Sequence, residues 1–388
     1  MTIIPVHNSR EEQLFYSVPS FIYRHDNNWI QPLLQDIKDI FDEKKNKFYR
    51  TGKLQRWVLL NEEQQAIGRI AAFTNKKYKN KGDEGMAGGI GFFECINDQT
   101  AADLLLDNAR HWLLKEGAEM MDGPINFGER DKWWGMVTDG FHEPLYGMNY
   151  NPPYYRDLFE EYGFQAFYHQ ICFGMKVKKP LQQKVWDRHD IVAADAAFTA
   201  RHLEKSSLEK YAADFAEVYN KAWAGHGGLK QIAKEQVVLM FRKMKPVMDE
   251  RILWFAYHGE TPIGIFINLP DLNQWFKYLN GRFGILHKLY FLWIKKFKPN
   301  SKCTGLVFGV VPEFQGKGVD SYLIAEAAKL LQQPSMPYED YEMQWIGDFN
   351  PKMINIASGL GEVFISRKLT TFRYLFDRTK PFKRHPSI

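Results

Sequence analysis

The residues with the most chemical content run Val310-Val311-Pro312-Glu313-Phe314-Gln315-Gly316-Lys317-Gly318-Val319-Asp320-Ser321-Tyr322-Leu323-Ile324. A β-branched run stops at Pro312, two glycines follow, and apolar residues then recur at helical spacing, which reads as strand, turn and helix. The first turn of such a helix has unpaired N–H groups and carries the positive end of its dipole. Gly316 and Gly318 let the backbone approach a ligand closely. The combination cradles an anion with backbone groups alone, and a diphosphate is the expected ligand. It is neither a triphosphate-binding loop, since no Gly-Lys-Ser/Thr follows four spacer residues, nor a three-glycine dinucleotide fingerprint.

The elements that would hold this turn occur twice. In the first half, Gln65 to Phe73 and Gly89 to Ile96 read as strands, Ala101 to Lys115 as a helix with Leu104, Leu105, Ala109 and Trp112 on one face, and Glu119 to Ile125 as a strand. A helix from Tyr154 to Glu161, stopped at Gly163, precedes a strand from Gln165 to Met175. In the second half the strands are Ile252 to Tyr257, Ile263 to Asn268 and Thr304 to Val311, followed by a helix from Val319 to Leu331 with Val319, Leu323, Ala327 and Leu330 on its apolar face. A strand from Tyr341 to Ile346, a helix from Pro351 to Ser358 and a closing strand through Phe372 to Phe376 complete it. Met121 to Met343 spans 222 positions and Gly163 to Gly361 spans 198, so the first copy holds 24 more residues between its strand and its second helix. The reading is an α/β chain of two copies, each a mixed sheet flanked by helices, divided as 1–180 and 181–388 with the joint near Lys178 to Lys184.

On Gln315, Gly318 and the surrounding strand, turn and helix, the second copy resembles the GNAT superfamily of acyl-CoA-dependent N-acyltransferases, whose loop reads Gln/Arg-x-x-Gly-x-Gly/Ala. The resemblance runs from about Phe198 to Phe376 and includes Asn350, where the superfamily often has an asparagine beside the cofactor. The first copy ends its helix with Leu158-Phe159-Glu160-Glu161-Tyr162-Gly163-Phe164, similar to the superfamily's ending, but has Ile96-Asn97-Asp98-Gln99-Thr100 where the glycine turn should be. The resemblance therefore implies one acyl-CoA site, in the C-terminal copy, for acetyl-CoA or another acyl-CoA. It is held by Val310, Val311, Gln315, Gly316, Lys317, Gly318, Val319, Asp320 and Asn350. Asp320 stands where the superfamily has glycine or alanine, and a carboxylate there repels a diphosphate. Ala357 replaces a tyrosine that many members use as the acid.

The activity this implies is attack of an amine, from a small molecule or peptide, on the acyl thioester, with strand N–H groups near Val310 and Val311 polarising the carbonyl. A base must take the amine proton, and by location the candidates are Glu342, Asp348 and Tyr374. His226, between two helices, and Trp134 and Tyr150, in the long aromatic loop of the first copy, are candidate acceptor contacts. Two other readings stay open. One resembles tandem-domain peptidyltransferases that use aminoacyl-tRNA, against which the Gln315 to Gly318 cradle argues. The other is a non-catalytic CoA-binding or scaffold protein, which Asp320 and the absent tyrosine suggest.

At 388 residues, with 45% hydrophobic and 25% charged residues, the chain suits two to three folded domains at about 150 residues each and excludes a disordered chain. Its net charge of +5 suits an anionic ligand but falls short of a nucleic-acid binder. Cys95, Cys172 and Cys303 lie far apart without metal-ligand spacing, so no metal site is expected and a reducing compartment is implied. The start lacks an apolar secretion segment, and Leu289 to Ile294 is far shorter than the roughly 20 residues of a membrane span. A soluble cytoplasmic protein is expected. Within Trp275 to Lys298, six basic and no acidic residues interleave with large apolar ones, which reads as a packed insertion or as a segment for peripheral membrane contact.

Overall fold

The computed structural model describes residues 1–223 and 231–387. In chain order its strands are β1 Thr2–Pro5, β2 Gly52–Leu60, β3 Ala66–Asn75, β4 Ala87–Cys95, β5 Met120–Gly123, β6 Met136–Asp139, β7 Gln165–Lys176, β8 Phe198–His202, β9 Leu253–His258, β10 Thr261–Pro270, β11 Lys302–Val310, β12 Asp340–Met343, β13 Ile346–Gly347 and β14 Val363–Leu375. The helices are α1 Ser9–Ile22, α2 Leu34–Phe41, α3 Gln99–Lys115, α4 Tyr155–Tyr162, α5 Gln183–Ala193, α6 Leu208–Trp223, α7 Lys234–Met244, α8 Asn273–Phe276, α9 Ile285–Phe297, α10 Val319–Leu331 and α11 Pro351–Ser358.

The strands form one mixed sheet. β1 to β5 run in chain order, β14 comes next, then β7, and β12, β11, β10, β9 and β8 complete the path. The final strand of each half is thus exchanged. β14 pairs with β5 through Phe372–Leu375, while β7 pairs with β12 through Gly174–Lys176, and the two exchanged strands lie antiparallel along most of their length. Hydrogen bonds therefore cross the 180/181 boundary in both directions. Buried ion pairs reinforce the exchange: on β14, Arg367 donates to Glu342 of β12 at 2.7 Å, and Arg373 donates to Asp122 of β5 at 2.6 and 2.8 Å.

The apolar periodicity of the sequence is spent as it implies. Leu105 and Ala109 of α3 are fully buried against Ile67, Ile70 and Phe93, and Leu104 and Trp112 pack at the margin of that core. Val319, Leu323 and Ala327 of α10 are buried in one core with β9 and β10 residues such as Phe255 and Ile265. α10 is covered on a second side by α5, where the His189 ring stacks on Tyr322 at 5.4 Å and its Nε2 lies 2.8 Å from Glu326. The expected single strand from Tyr341 to Ile346 is instead β12 and β13, because Gln344 N–H turns to Gly305 O at 2.9 Å and β13 then pairs with β7. The long loop of the first copy contains β6, paired with β14.

Candidate functional site

In the C-terminal half, β11 and β12 run parallel only from Lys302–Gly305 against Asp340–Met343. Gln344 leaves after bonding Gly305 O, while β11 continues along β10 as far as Val310, with Leu306 bulged out of register. The two parallel strands therefore part, and among the described residues no strand pairs with Leu306 to Val310 on the β12 side. Within a strand a glycine marks a bulge or a close approach, and Gly305 and Gly309 are both of this kind. A Cβ at Gly305 would lie 2.0 Å from the Tyr341 hydroxyl, and one at Gly309 would lie 2.1 Å from the Trp223 ring. Trp223, at the end of α6, thus covers the face of the parted strand and continues the aromatic row Phe215, Tyr219, Trp223.

The turn between β11 and α10 follows from its sequence. Pro312 opens a short 3-10 turn, and the Gln315 side chain donates to Val310 O at 2.9 Å, closing the turn on the strand end. Gly316 has φ 74° and Gly318 φ 86°, both left-handed, so glycine relieves strain at each. A Cβ at Gly316 would meet none of the described residues within 4 Å, whereas one at Gly318 would lie 3.3 Å from Arg188 O of α5. Gly318 is the N-cap of α10 and has no side chain to satisfy the first-turn N–H groups. Gln315, Gly316 and Lys317 are exposed, Val319 is buried and Asp320 is half-buried. The Lys317 ammonium sits 5.1 Å over the Phe314 ring. The turn thus offers uncapped N–H groups beside a parted strand pair, an arrangement that suits a diphosphate; Asp320 is the one carboxylate in the helix's first turn.

The expected site residues do not all converge on this turn. Val311 N–H donates to Ile263 O at 2.9 Å and is spent on the sheet, so it is not open to a carbonyl oxygen. Asn350 caps α11, its side chain accepting from Met353 N–H at 3.3 Å. Ala357 is buried in that helix. Glu342 is buried between Lys302, at 2.6 Å, and Arg367, at 2.7 Å. Burial opposes its charge, but the two cations prevail and hold the carboxyl down at about 2, so it takes up a proton poorly at neutral pH. Asp348 accepts from His169 N–H at 3.1 Å and from Arg384 at 2.5 Å. Tyr374 packs between Tyr162 and Phe164 in the core of the N-terminal half, because β14 has crossed to pair Tyr374 with Met121.

The two aromatic loop residues separate. Trp134 is buried, its indole N–H donating to the Tyr168 hydroxyl at 2.7 Å, and belongs to the packed interior. Tyr150 bonds Asp26 at 2.7 Å and lines a cavity of about 100 Å³ with Trp29, Trp133, Tyr146 and Glu94. The same loop docks on the other half, where Pro144 O accepts from Asn273 at 2.8 Å and Tyr146 N–H donates to Asp271 at 3.2 Å. His226 lies outside the described residues. Among the described residues no group of three His, Cys, Asp or Glu side chains is placed to hold a metal, and no helix is long and apolar enough to cross a membrane. Trp223 and Tyr341 were not expected at the site; the glycines at 305 and 309 were the available signal.

No family model matches the sequence. It is similar to a protein named Bacterial ceramide synthase from Caulobacter vibrioides (strain NA1000 / CB15N), 23% identical over 367 residues that cover 93% of this chain and 94% of the relative. It is also similar to Protein YghO of Escherichia coli (strain K12), 22% identical over 361 residues that cover 91% of this chain and 90% of the relative. Among solved structures, the GCN5-related glucosamine N-acetyltransferase region of a fungal multi-domain GH3 beta-N-acetylglucosaminidase superposes with a TM-score of 0.54 at 13% identity, covering 96% of this chain, which spans 38% of that one. The chain has the GCN5-related N-acetyltransferase fold, as two tandem units.

Proposed function

We propose that the protein is an acyl-CoA-dependent N-acyltransferase whose C-terminal unit holds the acyl donor and whose acceptor is the primary amine of a long-chain amino alcohol. The observation that carries the donor half is the uncapped N-terminus of α10 at Gly318, beside the parting of β11 from β12. The diphosphate of CoA lies on the first-turn N–H groups, and the thioester arm runs along the unpaired edge of β11. The amine nitrogen attacks the thioester carbonyl, the tetrahedral intermediate expels the thiolate, and the amine proton passes to solvent or a base. Glu342 is too strongly ion-paired to be that base. The acceptor is drawn from the name of the Caulobacter relative, since a ceramide is the amide of a fatty acid with a long-chain amino alcohol.

The test incubates purified protein with acetyl-, octanoyl- and palmitoyl-CoA and a long-chain amino alcohol, following free thiol and the amide by mass spectrometry. Amide formed in step with thiol, and lost in Gly316→Trp, supports the reading. Thiol release without amide, or amide formation insensitive to Gly316→Trp, overturns it.

A further inference from the structure

We infer that helix α9 and the residues around it form a docking surface for an anionic phospholipid bilayer. From Leu272 to Pro312 there are 41 residues without a single Asp or Glu, and seven are basic: Lys277, Arg282, Lys288, Lys295, Lys296, Lys298 and Lys302. That is more positive charge than the net +5 of the whole chain, so the remainder is slightly acidic and the basic character is concentrated here.

The placement of these groups separates structural cations from outward ones. Lys302 is consumed by Glu342 and Lys277 by Glu143 at 3.0 Å, while Lys295 donates to Pro246 O. Arg282, Lys288, Lys296 and Lys298 are exposed and have no ion-pair partner among the described residues.

α9 turns a largely apolar face outward, with Lys296 within it and Lys288 at its edge. Phe291 and Ile294 anchor the helix against Trp275, Phe276 and Leu279. Ile285, Leu286, Leu289, Leu292, Trp293 and Phe297 are each about half exposed or more, up to 81% at Ile285. At 3.6 residues per turn they and Tyr290 cover an arc of roughly 160°. Tyr290 and Trp293 stack at 5.9 Å on that arc, the ring types that favour a membrane–water boundary. A run of exposed large apolar side chains on one 13-residue helix is more than scattered surface residues require. The helix is too short to span a bilayer and has the composition of one that lies in the headgroup region. Charge decides the occupant: four outward cations on a segment with no carboxylate of its own match a field of lipid phosphates, the neighbouring Asp249 being paired with Arg251 at 2.7 Å and Glu250 accepting from Lys205 N–H at 2.8 Å, whereas the same patch on a second copy would meet its own charge.

The surface does not depend on acyl transfer, and a protein without turnover would dock equally. The test is co-sedimentation of the full chain with vesicles of phosphatidylcholine alone or with 30% phosphatidylglycerol, in low and high salt. The expected result is at least tenfold stronger partitioning onto anionic vesicles, weakened by salt. Leu289→Glu with Trp293→Glu should reduce it at least tenfold, and Lys288→Glu with Lys296→Glu severalfold, each with an unchanged thermal midpoint because these side chains are exposed. No partitioning onto anionic vesicles, equal partitioning of the Leu289/Trp293 variant, or a dimer by light scattering that the same variant dissolves, would overturn the inference.

Discussion

The two units place the same elements around opposite outcomes. In the N-terminal unit β4 and β5 also run parallel for three residues, Ala87–Gly89 against Met120–Asp122, but the space beyond is filled. Ile125 N–H donates to Ile90 O at 2.7 Å, and a Cβ at Gly91 would lie 1.9 Å from Ile125 O. The helix that follows, α3, is capped by Asp98, which accepts from Ala101 N–H at 2.9 Å. In the C-terminal unit no strand among the described residues pairs with that edge beyond Gly305, and α10 begins at a glycine with no side-chain cap. The two units thus differ in two local features, a strand edge met by the following loop in the first and a side-chain helix cap present in the first and missing in the second. Under the proposed function these differences make the first unit a scaffold and the second the site.

The largest expected effect breaks the stitch between the units. Glu342→Gln leaves Arg367, fully buried, and Lys302 without a counter-charge, and should cost about 3–5 kcal/mol of unfolding free energy by chemical denaturation. The pH dependence has a fixed sign. The folded carboxyl sits at about 2, below its ordinary 4.5, so its stabilisation is complete above about 4.5 and is lost as pH falls toward 2. The wild type should therefore lose stability over that window, and Glu342→Gln should show a shallower slope there; parallel slopes would remove Glu342 from the account.

Next in size is the cap that distinguishes the units. Asp98→Gly should cost a few tenths of a kcal/mol and Asp98→Ala about 1 kcal/mol, with no change in acyl-CoA affinity. Acyl-CoA binding gained by Asp98→Gly at the N-terminal unit would mean that the seal at Ile125 is not what closes it. The smallest effect sharpens the C-terminal site: Asp320→Asn removes the carboxylate from the first turn of α10 and should tighten CoA binding a few-fold by isothermal titration, more at low salt than at high. Unchanged affinity would place Asp320 away from the diphosphate.

Local elements were legible in the sequence where periodicity and punctuation agreed. α10 and α11 occupy the expected ranges, Val319–Leu331 and Pro351–Ser358, because glycine or proline marks their starts and apolar spacing their length. The two-unit α/β architecture followed from the repeated order of such elements. Strand partners were not legible: nothing in the alternation of β14 says that it pairs with β5 and β7. Tyr374 was therefore grouped with the turn when its strand end lies in the other unit's core. Nor does a carboxylate such as Glu342 announce its environment, since Lys302 and Arg367 reach it from 40 and 25 residues away. The cover over the parted strand was half legible, since Gly309 signals a close approach but does not name Trp223.

The central claim is that α10's uncapped start and the parted strands form the acyl-CoA site. Its most direct test is isothermal titration of acetyl-CoA and palmitoyl-CoA into the wild type and Gly316→Trp, with Gly316→Ala, which shares the left-handed backbone strain without the bulk, as the control. Micromolar binding at one site, weakened at least thirtyfold in Gly316→Trp but not in the control, with the fold intact, is the predicted result. No binding to the wild type, or equal binding to the wild type and Gly316→Trp, would contradict it.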